Sequence, residues 1–262
     1  MSKSKPNVLI LDIETAPTRA AVWRMFKENI GLDQIEKDWY ILSWSAKWEG
    51  VDKVYYKDKK KTWRDDNDKD ILIPLRELLD KADIVVAHNG RKFDCPKINA
   101  RLIINNLDPV SPYRIVDTLD ICKKNFAFTS NKLAYVSKAL GVEEKLDHNQ
   151  FPGYKLWEQC LIGNMKAWAE MKVYNIQDTE TLEQVYHKLR PWHGIHPNAG
   201  VYSNLTGPVC SKCGSHNIAP RGYSYTQVAQ YQRYRCNDCG GWSRGRKSLK
   251  TKEQREFLLT AL

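Results

Sequence analysis

The stretch "VLILDIETAP", Val8 to Pro17, begins as a buried strand and then places two acids, Asp12 and Glu14, in the same apolar run. Alternate side chains of a strand share a face, so the two carboxylates point the same way and Ile13 points oppositely. Like charges beside an apolar core repel each other and lose hydration. A divalent cation offsets that repulsion, since carboxylate oxygens suit Mg²⁺ or Mn²⁺. The alternative is that the strand ends at Leu11 and both acids are solvated.

Strand and helix signals alternate along the first part of the chain, and this order predicts an α/β layer fold. A core-facing stripe that includes Leu182 and Val185 predicts a long helix over about 164–189. The mixed-charge segment "KDKKKTWRDDNDKD", 57–70, has no apolar anchor and is predicted to be a solvated connection. Apolar periodicity predicts strands at "WYILSWSAKW", "VDKVYYK", "ADIVVAHN" and "YRIVDT", and helices at "DILIPLRELLDKA", "CPKINARLIINN" and "SNKLAYVSKALG", the last with a Ser130 cap and a Gly141 stop.

Two further acids occupy places where a ligand is expected. Asp94 ends the polar run of "IVVAHNGRKFD", where a strand gives way to a helix, and ligand sites of α/β sheets gather there. A helix N-cap explains this aspartate equally well. Asp178 in "VYNIQDTETL" lies four residues after Tyr174 and four before Leu182, which aligns it with the buried stripe. Structural hydrogen bonding could satisfy it, yet one shared metal site accounts for all four acids.

Taken together, "LDIET", "HNGRKFD" and "YNIQD" resemble the three exonuclease motifs of the DEDD superfamily, in its tyrosine-bearing branch. They are most similar to the proofreading exonuclease domains of family B DNA polymerases and their stand-alone relatives. The resemblance covers roughly residues 7 to 190. It implies a ribonuclease H-like fold, with a mixed central sheet flanked by helices. The histidine-bearing branch has His where this chain has Tyr174.

The resemblance also implies a two-metal-ion mechanism for phosphodiester hydrolysis. The expected ligands of two Mg²⁺ or Mn²⁺ ions are Asp12, Glu14, Asp94 and Asp178, with Asp12 between both ions. Tyr174 is expected to hold and orient the attacking water. The ordinary pKa of tyrosine, near 10, makes its full deprotonation an improbable requirement.

The family likeness implies five substrate contacts. Ile13 and Phe93 are expected to pack against the last bases, and Thr15 and Asn89 to reach the terminal sugar or phosphate. His88 beside the site is expected to hydrogen-bond the substrate. The alternatives are that Ile13 and Phe93 belong to the core and that His88 is a satisfied structural histidine.

Four cysteines form two Cys-x-x-Cys pairs, Cys210 with Cys213 and Cys236 with Cys239, separated by twenty-two residues. This spacing predicts one structural Zn²⁺ that folds a piece too small for its own core. The alternative is four unmetallated thiols. The segment resembles the zinc ribbons of transposase-associated and transcription proteins. The other cysteines lack such spacing and are predicted to be buried small hydrophobes: Cys95, Cys122 and Cys160.

The cysteine segment interleaves aromatic and basic residues, a pattern typical of single-stranded nucleic-acid binding through stacking and phosphate pairing. The alternatives are tyrosines that pack a small core, solvated charges, or a protein-docking role. The nucleic-acid-binding residues are predicted to be Tyr223, Tyr225, Arg233, Arg235, Trp242, Arg244 and Arg246, among the further residues Arg221, Tyr231, Tyr234 and Lys247.

Composition and charge limit the classes of partner that the chain is expected to have. From residue 201 onward, ten Lys and Arg face three acids, whereas residues 1–200 are close to neutral, so a polyanion partner is favoured. No signal peptide or membrane-length apolar run is present, which predicts an intracellular, soluble protein without a membrane partner. The predicted domains are an exonuclease domain at 1–195, a linker at 196–206 and a zinc ribbon with a basic tail at 207–262.

These patterns predict a metal-dependent 3′–5′ exonuclease that acts on single-stranded DNA, with a ribbon that grips the strand or a partner. A separate polymerase or another replication or repair protein is a possible partner. One alternative is an RNA exonuclease, since nothing in the motifs reads a 2′-hydroxyl. Another is a catalytically inactive protein that binds or recruits nucleic acid, although the complete set of acids with Tyr174 opposes it.

Overall fold

The computed structural model describes residues 5–142, 150–204 and 206–260. The chain forms two compact units. The larger unit comprises Asn7–Lys123 and Ala127–Val185, and the smaller comprises the described parts of Met1–Pro6, Lys124–Phe126 and Tyr186–Leu262. The predicted domains at 1–195, 196–206 and 207–262 stay predictions. Within these ranges, residues 1–4, 143–149, 205, 261 and 262 lie outside the described residues. No helix of the described chain is both long and apolar enough to cross a membrane.

A five-stranded mixed sheet forms the centre of the larger unit, in the order β5-β4-β1-β6-β7. Strand β1 is antiparallel to β4 and parallel to β6, and β6 is parallel to β7. A short ladder pairs β2 with β3. The strands are β1 (Val8–Thr15), β2 (Arg19–Ala20), β3 (Ile35–Lys37), β4 (Ile41–Trp48), β5 (Val54–Asp58), β6 (Ile84–Ala87) and β7 (Arg114–Asp117).

Helices connect and cover these strands, so the predicted α/β class with a mixed central sheet is confirmed. Each predicted strand and helix is present. The helices are α1 (Lys69–Leu79), α2 (Asp94–Ile104), α3 (Thr118–Asn125), α4 (Leu133–Ala139), α5 (Lys155–Leu161) and α6 (Met165–Leu189).

The predicted cap of α4 is wrong at its start and right at its end. Lys132 holds the N-cap position, and the Ser130 hydroxyl accepts the Lys132 N–H at 3.3 Å in a turn before the helix. Serine therefore closes a local turn instead of capping the helix. Gly141 follows the helix with φ +62°, the left-handed conformation that glycine adopts without strain.

The centre of the sheet is buried from solvent because β1 begins with four consecutive buried residues, Val8–Leu11. Such a run is typical of a strand covered on both faces. Leu9 and Leu11 pack with Trp44 of β4 and with apolar residues of α1 and α2. The Trp44 indole N–H donates to the Ile71 carbonyl at 2.7 Å, which fixes α1 against the sheet. The core thus holds β1 rigidly up to the point where its acids begin.

The segment 57–70 is not the wholly solvated connection that its charges predict. Lys59 is fully buried and donates to Asp65 at 2.8 Å and to the Asn67 carbonyl. Asp68 is also fully buried and accepts the Ile41 N–H at 2.9 Å and a two-pronged bond from Arg101 at 2.8 and 2.9 Å. Buried charges persist when they are paired and hydrogen-bonded, so this loop anchors β4 to α2.

The smaller unit contains a three-stranded antiparallel sheet in the order β10-β9-β8 and a short helix capped by Thr251. Its elements are β8 (Ile218–Tyr225), β9 (Gln230–Cys236), β10 (Trp242–Arg244) and α7 (Lys252–Glu256). His196 is buried in this unit, where its Nε2 lies 2.9 Å from the Tyr186 hydroxyl.

Candidate active site and metal sites

Strand β1 carries Asp12 and Glu14 at the end of its buried run. The strand continues to Thr15, so the alternative that it ends at Leu11 is wrong. Both acids are half-buried on one face, while Ile13 is buried on the other. The register with β4 shifts between Glu14 and Thr15. Such irregularities re-aim side chains, and they are frequent beside active sites.

A polar seam joins α6 to the face of the sheet that carries the two acids. We define it as Ser43 and Ser45 of β4 with Asn175 and Thr179 of α6. The serines pair with Glu14 and Asp12 in the ladder and therefore share their face. Ser43 donates to the Asn175 side chain at 3.1 Å, and Ser45 contacts both the Asn175 carbonyl at 2.6 Å and the Thr179 hydroxyl. The seam fixes the rotation of α6 over β1.

Asn175 is the member of the seam that touches the acids. Its side chain is fully buried, and its Nδ2 donates to the Asp12 carboxylate at 2.6 Å. This bond holds one oxygen of Asp12 in place. The sequence analysis did not identify Asn175, although its position three residues before Asp178 places it on the same inward side of the helix.

Three carboxylates converge where β1 meets α6. Ligand oxygens of Asp12, Glu14 and Asp178 all lie within 4.8 Å of one another. Asp178 is buried, with 5% of its surface exposed. Three negative charges this close, with one of them buried, repel strongly unless a cation stands among them. An all-oxygen set of this kind fits Mg²⁺ or Mn²⁺.

Asp94 lies beside this group and is not a member of it. It is the first residue of α2 and is 3% exposed, and Phe93, not Asp94, holds the N-cap position. The Asp94 Oδ1 accepts the backbone N–H of Ile13 at 3.2 Å, so it is tied to the peptide that follows Asp12. Burial, with a smaller effect of the Asp117 charge, raises the pKa of Asp94 well above the usual range of a carboxyl.

Asp117 organises the loop that leads to Asp94. It ends β7, is buried, and accepts the backbone N–H groups of Asn89 at 2.9 Å and Arg91 at 3.0 Å. The loop needs this support because Asn89 adopts φ +72°. The sequence analysis missed Asp117. The signal was available, since β6 and β7 are parallel and their ends meet at one edge of the sheet.

Tyr174 lies close enough to the three converging carboxylates for their charges to act on its phenol. Its ring makes an edge contact with Trp157 at 5.9 Å between centroids and packs against the apolar cluster beneath α6. Burial raises the pKa of Tyr174 far above its ordinary value, and the charges of Asp178, Glu14 and Asp12 raise it further. The raised pKa favours the protonated phenol, which can donate a hydrogen bond.

The structure describes the surroundings of the five residues that are predicted to contact substrate. Ile13 is buried in the core, and Phe93 is half-buried and packs against the same core. Both ring nitrogens of His88 have partners, the Thr118 hydroxyl at 2.9 Å and the Asn131 carbonyl at 2.8 Å, which favours its structural interpretation. Thr15 and Asn89 are half-buried. The substrate-binding roles of all five residues stay predictions.

The four predicted zinc cysteines come together in the smaller unit, and their sulfur atoms lie within 4.8 Å of one another. The Cys210–Cys239 and Cys213–Cys236 sulfur atoms are 3.6 and 3.7 Å apart. A tetrahedral zinc site with bonds of about 2.3 Å has edges of about 3.8 Å, so the cluster fits a zinc ion.

Two matching turns build the cysteine cluster. In each, the glycine after the second cysteine donates its N–H to the carbonyl of the first, at 2.9 Å for Gly214 and 3.1 Å for Gly240. The two glycines have φ +74° and +76°, which residues with a Cβ rarely adopt. The sequences "CSKCG" and "CNDCG" therefore fold into equivalent loops that present their thiols to one point.

The register of β9 and β10 gathers basic and aromatic residues on one surface. Opposite residues of an antiparallel ladder share a face, and Trp242 pairs with Arg235 while Arg244 pairs with Arg233. The Arg233 guanidinium lies 4.7 Å from the Trp242 ring centroid, and that of Arg244 lies 4.0 Å from the ring of Tyr231. We call these five residues the arginine face.

Not every predicted nucleic-acid contact belongs to the arginine face. Tyr223 and Tyr225 pair with Gln232 and Gln230 and therefore lie on the opposite face of the sheet. Arg246 follows β10 and is exposed. The arginine face contains no acid, since β8, β9 and β10 contain none.

Comparison with known proteins identifies the family of the larger unit. Residues 9–190, well over half of the chain, match the model of the RNase H superfamily. The chain belongs to the RNase H superfamily. This RNase H-superfamily chain is also similar in structure to the family B DNA polymerase from the hyperthermophilic archaeon Pyrobaculum calidifontis, with a TM-score of 0.51 and 14% identity. That match covers 76% of this chain but 27% of the polymerase chain, so the chain spans about a quarter of the polymerase's length. A comparison with curated proteins finds no match.

The buried His88 predicts a loss of stability in acid. Burial lowers the pKa of His88 below its ordinary value of 6.5, so the unfolded chain takes up more protons than the folded chain below that pH. The free energy of unfolding therefore falls as the pH drops below 6.5. Urea unfolding of wild type and His88→Gln from pH 7.5 to 5 should show a weaker pH dependence in the variant. The exposed His216→Gln control should keep the wild-type dependence, and equal slopes for all three proteins would contradict the prediction.

Proposed function

We propose that this RNase H-superfamily chain is a metal-dependent 3′–5′ exonuclease that hydrolyses single-stranded nucleic acid, with DNA as its preferred substrate. One observation carries the proposal: the oxygens of Asp12, Glu14 and Asp178 converge within 4.8 Å beside Tyr174. Three acids with a tyrosine four residues before the last of them follow the tyrosine-bearing DEDD pattern. The structural similarity to a family B DNA polymerase is consistent with an exonuclease of this pattern.

The metal ligands are proposed to be Asp12, Glu14, Asp94 and Asp178, with two Mg²⁺ or Mn²⁺ ions. When bound, the ions would neutralise charge on the reacting phosphate and lower the pKa of the attacking water. The raised pKa of Asp94 agrees with a ligand that needs a nearby cation to become charged.

The chain's own residues position the reaction. Tyr174 is proposed to hold and orient the attacking water through its phenol, beside the proposed metal ligands. Asn175 holds the Asp12 carboxylate at 2.6 Å, so this acid meets the substrate in one fixed orientation. Asp117 supports the loop before Asp94 through backbone N–H groups. Thr15, Asn89 and the exposed part of Phe93 remain our candidates for contact with the terminal nucleotide.

The smaller unit is proposed to be a zinc ribbon that binds the nucleic-acid substrate. Four thiolates with tetrahedral spacing would hold one structural Zn²⁺. The arginine face would bind single-stranded nucleic acid, with bases on Trp242 and Tyr231 and phosphates on the arginines. Its lack of acidic residues favours a polyanion over a protein partner of mixed charge.

Degradation of a 5′-labelled single-stranded DNA oligonucleotide tests the activity. With Mg²⁺ or Mn²⁺, wild type should give a ladder that shortens from the 3′ end, and Asp12→Ala should slow it at least a thousandfold because a metal ligand is lost. The exposed Asp52→Ala variant should cleave like wild type, and an RNA strand of equal length measures the sugar preference. Intact strands from folded, metal-supplied wild type would overturn the proposal.

Binding measurements separate the two roles of the arginine face. Trp242→Ala should weaken binding of a labelled single strand about fivefold or more without changing its salt dependence, because stacking carries no charge. Arg244→Ala should weaken binding and reduce the slope of log K against log salt by about 0.7, the value for one lost phosphate contact. The exposed Lys250→Ala variant serves as control. Kd values and slopes that match this control in both variants would contradict the assignment.

A further inference from the structure

A small polar pocket lies directly beyond the end of β1 in the larger unit. Its volume is about 170 Å³, and we call it the cationic pocket because Arg19, Lys37 and Arg64 line it. Tyr40 lines it as well, together with Ala16 and other apolar residues. A single water needs about 10–15 Å³ by a comparable measure, so the pocket has room for a ligand of several heavy atoms.

Two of the three cations lie side by side, and the charge of Lys37 also acts on Asp65. Arg19 and Lys37 stand directly opposite each other in the β2–β3 ladder, where like charges destabilise the pairing. Arg64 adds a third positive charge and lies 4.7 Å from the Trp63 ring centroid. No ion pair between residues of the described chain involves any of these three side chains. The arrangement calls for an anion.

Three carboxylates, Asp66, Asp65 and Asp68, act by their charge on Tyr40 of the pocket. Asp65 pairs with Lys59 at 2.8 Å, and both Asp68 oxygens accept bonds from Arg101. Asp66 is exposed. None of the three acids lines the pocket. The lining of the pocket therefore carries three cations and no acid.

Tyr40 supplies a second, independent observation. It is 1% exposed, and its hydroxyl has no hydrogen-bond partner among the residues that the structure describes. A buried hydroxyl is rarely left without a partner. Burial raises the pKa of Tyr40 to about 12, with smaller effects of the Asp66, Asp65 and Asp68 charges, so at neutral pH the hydroxyl carries its proton.

We propose that the cationic pocket binds a phosphate group of the substrate strand, next to the site of cleavage. Arginine and lysine with a hydroxyl donor match the several acceptor oxygens of a phosphate. Ala16 lines the pocket and follows Glu14 by two residues, which places its Cα within about 7 Å of the Glu14 Cα. The inference rests on the proposed function. It adds a contact between the enzyme and the substrate backbone that needs no metal ion.

Binding of a 5′-fluorescent oligodeoxythymidylate, without added Mg²⁺ or Mn²⁺, tests the protein side of this contact. Arg19→Ala and Arg64→Ala should each raise Kd about tenfold, the effect of one lost charge-assisted bond. Each should also reduce the slope of log K against log salt by about 0.7. Arg64→Lys should restore part of the affinity. Lys69→Ala, an exposed cation outside the pocket, should bind like wild type, and unchanged unfolding midpoints would show that all variants are folded.

A strand with one uncharged methylphosphonate linkage, moved stepwise from the 3′ end, tests the ligand side. Neutralising one particular linkage should weaken wild-type binding as much as Arg64→Ala does, and should not weaken Arg64→Ala further. A second outcome is that the strands bind wild type equally well wherever the methylphosphonate stands, while inorganic phosphate binds wild type and not Arg64→Ala. In that case the pocket binds free phosphate, and its assignment to the substrate backbone is wrong. If Arg19→Ala and Arg64→Ala keep the wild-type Kd and slope and inorganic phosphate binds neither protein, the pocket proposal is overturned.

The design also separates the pocket from the proposed activity. Binding is measured without turnover, so the pocket result does not depend on cleavage. A protein that binds through the pocket and never shortens the strand would overturn the exonuclease and not the phosphate site. A protein that cleaves normally with Arg19 and Arg64 replaced, at unchanged affinity, would overturn only the phosphate site.

Discussion

Repulsion among three carboxylates within 4.8 Å of one another is the constraint on which the rest of the larger unit depends. No unfolded or loosely packed chain would hold Asp12, Glu14 and Asp178 at that distance. The buried first half of β1, fixed between β4 and β6, provides the stiffness that keeps two of them together. The third arrives on α6, a 25-residue helix. The fold thus maintains a charge density that becomes favourable when a cation binds.

Polar contacts hold Asp12 and the helix that carries Asp178 in place. Asn175 bonds Asp12, and the seam with Ser43 and Ser45 locks α6 to the sheet. The buried ion pair of Lys47 with Glu183 joins β4 to α6 one turn beyond Thr179. Buried polar networks of this kind specify one arrangement when every member is satisfied. The same logic operates in the smaller unit, where two equivalent glycine turns aim four thiols at one point.

Spacing along the chain predicted the elements, the acids and the cysteines, because strand and helix periodicities decide which neighbours share a face. Contacts between distant segments could not be predicted in this way. Asn175 looks like an ordinary polar residue until β4 lies beside α6, and Asp117 does so until the loop after β6 lies beside the end of β7. Lys59 and Asp68 look solvated in sequence because their partners are revealed only by folding. Which ribbon residues share the arginine face likewise depends on strand register.

Replacing one oxygen of the 3′-terminal phosphodiester by sulfur tests most directly whether metal ions held by these acids act on the scissile phosphate. Sulfur is a poor ligand for Mg²⁺ and a better one for the softer Mn²⁺. The account predicts that the substituted strand is cleaved far more slowly than the normal strand with Mg²⁺, and that Mn²⁺ restores most of the lost rate. An equal sulfur effect with both metals would contradict metal contact with that phosphate and the mechanism built on it.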